Sequence, residues 1–241
     1  MFVVFKRELK SYFATPLAAI FIIIFLVMAG IFTFFLGDFF AWGQADLHAF
    51  FMFHPWLYLF FIPAIAMRLW ADERKTGTIE ILLTLPLTVT QVVMGKFLAA
   101  WVFTGCALLL TFPMWISVNI LGNPDNGVIL TSYIGSFLMA GAFVAIGSCI
   151  SAISKSQVIA FVISATLCFI FVAIGSPLIL NFAGDWMPKF ALDTISGFSF
   201  HNHFDSLTRG VIDLSDGIFF VSMMALFIFI NVALVDLKKA A

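Results

Sequence analysis

The sequence predicts an all-α polytopic membrane protein with six transmembrane helices, and three observations support this fold class. The chain is 63% hydrophobic and only 10% charged, far from the balance of a soluble domain. Long uncharged runs, each sufficient for the roughly 20 helical residues that cross a hydrocarbon core, occupy residues 15–37, 97–121, 126–154 and 156–184. These runs are continuous, which favours helices over the short alternating strands of a barrel.

The third observation is the position of the basic residues, which predicts the orientation in the membrane. With a cytoplasmic N-terminus and six spans, the inner side carries Lys6, Arg7, Lys10, Arg68, Arg74, Lys75, Lys96, Lys155, Lys238 and Lys239. Only Lys189 and Arg209 fall on the outer side. This asymmetry follows the positive-inside rule and places both termini in the cytoplasm. Five spans would move the last two lysines outside, so the even number is preferred.

Residues 2–14 precede the first span and predict an amphipathic helix at the inner membrane interface. One face carries apolar and aromatic side chains, and the other carries basic and polar ones, a pattern typical of helices that lie in the interface plane. The apolar face contains Phe2, Phe5, Leu9, Tyr12 and Phe13, and the polar face contains Lys6, Arg7, Lys10 and Ser11.

The whole chain, residues 1–241, is predicted to form a single membrane domain. Its six spans are expected at residues 16–37, 49–69, 93–121, 128–153, 156–181 and 217–235. Prolines interrupt the second span at residues 55 and 63, and the fifth span is broken at residues 175–177. Residues 183–213 are too long and too hydrophobic for a plain loop, so half-helices that dip into the outer leaflet are expected there.

The fourth predicted span is rich in small residues spaced four apart, which lets helix backbones approach closely. The pairs are Ser136/Ala140, Gly141/Ala145 and Gly147/Ser151. This stripe has two interpretations that the sequence leaves open: packing within one bundle, or an interface between subunits.

The only substantial polar segment between spans, residues 70–91, is predicted to contain a short amphipathic helix. Gly77 allows a sharp turn, Thr78 is a good N-cap, and Pro86 ends the helix. Its apolar face, formed by Ile79, Leu82 and Leu83, must be buried in lipid or in a partner. The mixed charges nearby favour a protein partner, because a lipid-bound helix would be more uniformly basic.

Other residue patterns give no candidate for catalysis, cofactor binding or a metal. The three cysteines, at positions 106, 149 and 168, lie inside predicted spans without the spacing of metal ligands or disulfides. His201 and His203 have metal-ligand chemistry but no further ligands nearby. No charge is expected deep within a span, which disfavours an ion-coupled carrier.

Three stretches of the sequence are similar to ABC-2 type transporter permeases, and most of all to the gliding-motility branch. The central one runs from Glu73 through Gly77 and Thr78 to the Leu-Leu-Thr-Leu-Pro sequence at residues 82–86. The others are Lys6-Arg7-Glu8-Leu9 and the pattern within residues 198–217. The resemblance covers essentially the whole chain.

This resemblance implies that the chain is the membrane half of an ATP-driven transporter, in which two permease copies pair with two copies of a separate ATPase. Residues 78–85 would be the coupling helix that docks on the ATPase, and residues 2–14 the interfacial elbow helix. The implied ATPase-coupling residues are Asp72, Glu73, Arg74, Lys75, Thr76, Gly77, Thr78, Glu80, Leu82 and Leu83. A second, smaller contact would involve Ser154, Lys155, Ser156 and Gln157.

The chain lacks the phosphate-binding motif of an ATPase, because Gly95-Lys96 is followed by Phe97 and nothing upstream completes the pattern. We therefore expect ATP and Mg²⁺ to bind the partner ATPase and this chain to have no catalytic site. The expected role is substrate movement, in the export direction, across a bacterial inner membrane. Lipid and an auxiliary periplasmic-facing subunit are further expected partners, and nucleic acid is not. The alternative is an ATP-independent membrane carrier or scaffold.

Overall fold

The computed structural model describes residues 1–40, 43, 45–79, 86–176, 179–181, 188–211 and 213–239, and these contain helices and no strands. The prediction of an all-helical chain is therefore confirmed for this part of the sequence. The helices are α1 (Phe2–Ala14), α2 (Pro16–Ile31), α3 (His48–Met52), α4 (His54–Ala66), α5 (Arg68–Thr76), α6 (Val89–Leu109), α7 (Phe112–Leu121), α8 (Asn126–Ile153), α9 (Gln157–Ala173), α10 (Lys189–Ser196), α11 (Phe200–Thr208) and α12 (Leu214–Lys239).

Four helical stretches in the described residues are long and apolar enough to cross a membrane. They are Ala18–Leu36, Val89–Leu121, Asn126–Ile153 and Leu214–Leu237. The first combines α2 with a π-helical turn at Phe32–Leu36. Helix α9 is also apolar but shorter, at 17 residues. These helices support a multi-pass membrane protein, whereas the count of six spans stays a prediction.

Two of the predicted spans are divided into shorter helices, and proline accounts for the positions. Pro55 lies in the first turn of α4, just after the break between α3 and α4 at Phe53. Pro113 lies in the first turn of α7, after the break that separates α6 from α7. Proline lacks the N–H that a helix interior needs but is tolerated in a first turn. Pro55 and Pro113 therefore each begin a new helix. Pro63, which was also expected to interrupt the second span, lies inside α4 instead, so that part of the prediction is wrong.

Helix α8 is the centre of the bundle. It packs against α4, α5, α6, α9, α11 and α12. In its most apolar part 78% of the residues are buried, compared with 17% in the stretch Ala18–Leu36. All six of its paired small residues are buried within this one chain. A Cβ atom on Gly147 would lie 2.5 Å from the Cβ of Ala66 in α4. The structure thus favours the first interpretation of the small-residue stripe, close packing inside the bundle.

Helix α1 lies along α6 and exposes part of its apolar surface. It packs against α6 and α2, and Val4 is its one fully buried residue. Phe2, Val3 and Phe13 are 72%, 76% and 54% exposed, and Lys6 and Lys10 are exposed as well. These exposed apolar and basic side chains are what an interfacial helix presents to a membrane, so they support the predicted location.

Two helices, α10 and α11, occupy the range in which outer half-helices are predicted, and residues 182–187 and 212 lie outside the described residues. His203 in α11 fixes the start of α12: its Nδ1 lies 2.6 Å from Asp216 Oδ1 and its ring stacks on Phe219. His201 and His203 lie on a helix, where residues two apart do not share a face. A spacing of two residues places both side chains on one face in a strand or an extended loop, but not in a helix.

Candidate functional site

Helix α5 lies at one end of the bundle, and Ser151 of α8 caps its first turn. The first N–H groups of a helix have no acceptor within it. The Ser151 hydroxyl accepts from the backbone N–H groups of Trp70 and Ala71, each at 3.1 Å, and donates to the carbonyl of Met67 at 2.8 Å. Trp70 and Ala71 are fully buried, so water cannot replace this hydroxyl. Ser151 thereby fixes α5 to the central helix.

Lys96 is the centre of a group of four charged side chains, Arg7, Glu8, Glu73 and Lys96, which we call the charged cluster. The side chain of Lys96 is only 2% exposed. Its ammonium donates to Glu73 Oε1 at 2.9 Å, to Glu8 Oε1 at 3.3 Å and to the carbonyl of Leu69 at 2.8 Å. All three donors are therefore used, as a buried ammonium requires. These bonds join α1, α5 and α6.

Two further contacts complete the charged cluster. Arg7 Nη2 lies 2.5 Å from Glu8 Oε1 and 3.3 Å from Glu73 Oε1. Its side chain is 51% exposed, so these pairs stabilise the fold less than the buried Lys96 pairs do. The Lys96 Nζ atom also lies 5.1 Å from the centroid of the Trp70 ring, within reach of a cation–π interaction.

The charges in the cluster shift the pKa of two groups on α1. Burial alone would raise the pKa of Glu8, but the positive charges of Lys96 and Arg7 outweigh it and hold that pKa below its ordinary value. Burial alone would lower the pKa of Arg7, but hydrogen bonding and the charge of Glu8, with a smaller contribution from Glu73, raise it. Both groups are therefore held in their charged forms.

Acidification is expected to destabilise the packing of α1 through Glu8. Because folding lowers the pKa of this carboxyl from 4.5, its contribution to stability is complete above about pH 4.5 and is lost as the pH falls through the lowered value. We expect the thermal unfolding midpoint of the detergent-purified chain to fall steeply below about pH 4.5. The control is Glu8→Gln, which cannot titrate at this position and should give a shallower fall. Equal slopes in both proteins would contradict the assignment.

The two predicted contact regions, one around residue 74 and the other around residue 155, meet at this end of the bundle. Arg74 Nη1 donates to the carbonyls of Ala152 at 2.6 Å and Ile153 at 2.7 Å. These carbonyls end α8, where a helix lacks internal donors and favours a positive charge. The side-chain amide of Gln157 also donates to Asp72 Oδ1. The two regions are thus one continuous surface.

The remaining predicted residues on α5 and just beyond it are open to solvent. Lys75, Thr76, Gly77 and Thr78 are exposed. Gly77 has φ of +73° and ends α5 in the left-handed conformation that glycine adopts without strain. The Thr78 hydroxyl lies 2.9 Å from that of Thr76, and its role as an N-cap stays a prediction.

The core of the predicted coupling helix, residues 80–85, lies outside the described residues, and with it lie Glu80, Leu82 and Leu83. In the second contact, the Ser154 hydroxyl donates to the carbonyl of Ser156 at 2.8 Å and accepts from its N–H at 3.1 Å. This forms a tight turn between α8 and α9, and Lys155 at its tip is exposed.

Sequence reasoning missed the residues that hold α5 in place. It treated Arg7 and Lys96 as charges that flank spans and read Ser151 as a small packing residue. A usable signal was present for Lys96, because a lysine seven residues into a helix that otherwise reads as a span needs an acidic partner. No such signal marked Ser151, since a serine that packs and a serine that caps another helix look alike in one sequence.

The described residues contain no group of three His, Cys, Asp or Glu side chains placed to hold a metal ion. At this end of the bundle, the side chains of Arg7, Glu8, Arg68, Asp72, Glu73, Arg74 and Lys96 pair with one another or with backbone carbonyls, whereas Lys75 and Lys155 are exposed. Such an arrangement attaches one helix firmly to its neighbours and leaves its distal end exposed, which suits a docking surface.

Comparison with known proteins gives the family. The family described as "ABC-2 family transporter protein" matches residues 39–236 of this chain. A search of curated proteins returned no match. The matched region includes α5, the central helix α8 and the turn that follows it. The chain therefore belongs to the ABC-2 transporter family, whose members are membrane permease components of ABC transporters.

Proposed function

We propose that this chain couples ATP binding and hydrolysis on a separate ATPase subunit to movement of a substrate, in the export direction, across a bacterial inner membrane. The observation that carries the proposal is the meeting of α5 with the end of α8. Arg74 and Gln157 join two regions that the sequence predicts as separate ATPase contacts. A single partner could therefore press on both at once.

The attachment of α5 gives a physical route for such a push. Ser151 connects the start of α5 to the central helix, and Lys96 connects Glu73 in its middle to α6 and α1. A force on the exposed end at Lys75–Thr78 would be passed to α8, α6 and α1 through these hydrogen bonds, because breaking a buried hydrogen bond is costly. Packed helices respond to such forces by switching between discrete arrangements.

The proposed complete assembly contains two copies of this chain and two copies of the ATPase, which bind ATP and Mg²⁺. Residues 78–85 act as its coupling helix and residues 2–14 as its elbow helix, with both termini in the cytoplasm. The similarity to the gliding-motility branch suggests an auxiliary subunit that faces the periplasm. These parts rest on the resemblance of the motifs and on the distribution of charge.

Charge reversal at the junction tests the proposal. Arg74→Glu places a negative charge against the carbonyls that end α8, so we expect it to weaken docking and to lower ATP turnover by about tenfold or more. The measurement is co-purification with the phosphate-loop ATPase expressed beside it, followed by ATPase activity of the complex in lipid. Leu82→Asp should have a similar effect through the coupling helix.

The matched control is Lys189→Glu, an equal charge reversal on the exposed first residue of α10, which is predicted to face the opposite side. It should leave both the complex and its turnover unchanged. Wild-type complex formation and turnover in Arg74→Glu and in Leu82→Asp would refute the proposed coupling surface.

An ATP-independent carrier or scaffold remains the second candidate, and one observation bears on it. Lys96 is a buried base in a long apolar helix, and ion-coupled carriers use residues of this kind. Its three donors are all engaged by fixed acceptors, however, so it is not poised to exchange an ion. Substrate uptake into liposomes driven by an ion gradient, with no ATPase present, would identify a carrier.

A further inference from the structure

A cavity of about 360 Å³ lies between α1, α5 and α6, beside the charged cluster. Charged side chains on its wall are Arg7, Arg68, Lys96, Glu8, Asp72 and Glu73. Arg7, Arg68 and Asp72 are 51%, 29% and 36% exposed, so the cavity can be reached from outside. Its volume is sufficient for a small polar group of several heavy atoms.

The charges on the wall are balanced, three positive and three negative. An anion alone would leave the occupied cavity with a net negative charge, and a cation alone would leave it positive, both of which are costly at a partly buried site. A neutral group and a group with one positive and one negative charge both keep the balance, and only the second can also form ion pairs with the charged side chains of the wall. The lining therefore favours a zwitterion.

One acceptor in the wall has no partner. Glu73 Oε1 accepts from Lys96 and Arg7, whereas Glu73 Oε2 is buried and has no hydrogen-bond donor among the described residues. A buried carboxylate oxygen without a donor is costly. A primary ammonium group supplies N–H donors for it, and a quaternary ammonium group supplies none.

Arg68 is the best placed group for the negative half of such a ligand. It donates to Asp72 through Nε at 3.3 Å, and it is one of the residues that line the cavity. Guanidinium groups bind phosphate oxygens through charge-assisted hydrogen bonds. Ser11 of α1 also lines the cavity and is exposed.

We propose that this cavity binds a phosphate ester that carries a primary amine, supplied by the headgroup of a phosphatidylethanolamine lipid. Glu73 Oε2 is covered by neighbouring protein atoms, so the carboxylate turns toward the cavity when the ammonium donates to it. The phosphate accepts from Arg68. A membrane source fits the position of the cavity, because α1 forms one wall and exposes Phe2, Val3 and Phe13 from its apolar surface. The bound headgroup then bridges α1 and α5.

The test is lipid binding by the detergent-purified chain, measured by native mass spectrometry with dioleoyl phosphatidylethanolamine, phosphatidylcholine or phosphatidylglycerol added singly. We expect phosphatidylethanolamine to bind at least about tenfold more tightly than the other two, the effect of one charge-assisted hydrogen bond. Soluble glycerophosphoethanolamine is a fourth arm. If it binds as tightly as the lipid, the site takes this chemistry from solution; if it binds weakly, the membrane is the source.

Two variants locate the binding. Arg68→Gln removes the phosphate donor without touching Lys96, and Ser11→Phe fills the cavity without changing any charge. Each should weaken phosphatidylethanolamine binding at least about tenfold. The matched control is Ala14→Phe, which adds the same ring at an exposed position of α1 away from the cavity wall. Equal affinity for phosphatidylethanolamine and phosphatidylcholine, or unchanged binding in both variants, would overturn the proposal. No ATPase is needed, so the outcome is independent of the coupling mechanism.

Discussion

Replacing Lys96 by methionine is expected to lower the free energy of unfolding by about 3–5 kcal/mol, the typical cost of removing one partner from a buried ion pair. Methionine fills a similar volume but leaves Glu73 and Glu8 without their buried cation. The carbonyl of Leu69 also loses its donor. The measurement is the thermal unfolding midpoint of the purified chain in detergent, together with its expression level.

Lys10→Met is the matched control for this variant. Lys10 is exposed on α1, so the same substitution there should change stability by less than about 0.5 kcal/mol. A second variant separates lost charge pairing from lost packing. In Lys96→Met combined with Glu73→Gln, one of the two carboxylates that lose Lys96 is neutral and only Glu8 remains to pair with Arg7, so part of the lost stability should return. Equal unfolding midpoints for Lys96→Met and Lys10→Met would show that the charged cluster contributes nothing to the fold.

Substituting valine for Gly147 is expected to force α8 and α4 apart. The first added carbon would lie 2.5 Å from the Cβ of Ala66, well inside van der Waals contact. Ala66 is fully buried and cannot rotate away, so the helix backbones must move. Such overpacking costs about 1–3 kcal/mol and occasionally more. Thermal unfolding in detergent measures the loss.

Gly30→Val provides the comparison for the Gly147 variant. Gly30 also lies within a long apolar helix, but a Cβ atom there would meet nothing within 4 Å. The two variants share the same change in volume and helix propensity and differ in their surroundings. We expect the Gly30 variant to unfold near the wild-type temperature. Similar losses in both would mean that propensity, and not helix contact, decides the outcome.

The secondary structure of this chain is largely predictable from its sequence. Continuous apolar runs predict long helices, because only a helix satisfies its own backbone in lipid. At positions 2–14, aromatic and basic residues fall on opposite faces of a helix, which predicts a separate amphipathic helix. Helix α1 covers that range. Gly77 predicts a turn, and its φ of +73° shows one. Each of these features depends on neighbours within a few positions.

The candidate site is predictable only in pieces. The family resemblance points to residues near 74 and near 155, but nothing in the sequence places Arg74 against the carbonyl of Ile153, 79 residues away. Hydrogen bonds between distant segments depend on how helices pack and rotate. The packing and rotation of the helices depend on many small contacts across the whole fold, and patterns within a few sequence positions do not predict them.

The sequence by itself determined that this protein is helical and suited to a membrane. Hydrophobicity and charge are properties of the individual residues and do not depend on which helices pack together. The tertiary structure alone decided that Lys96 is buried between Glu8 and Glu73 and that Ser151 caps α5. Burial and pairing depend on the surroundings that several helices create together. A lysine changes from a solvated flanking charge into the link between three helices only when those helices meet.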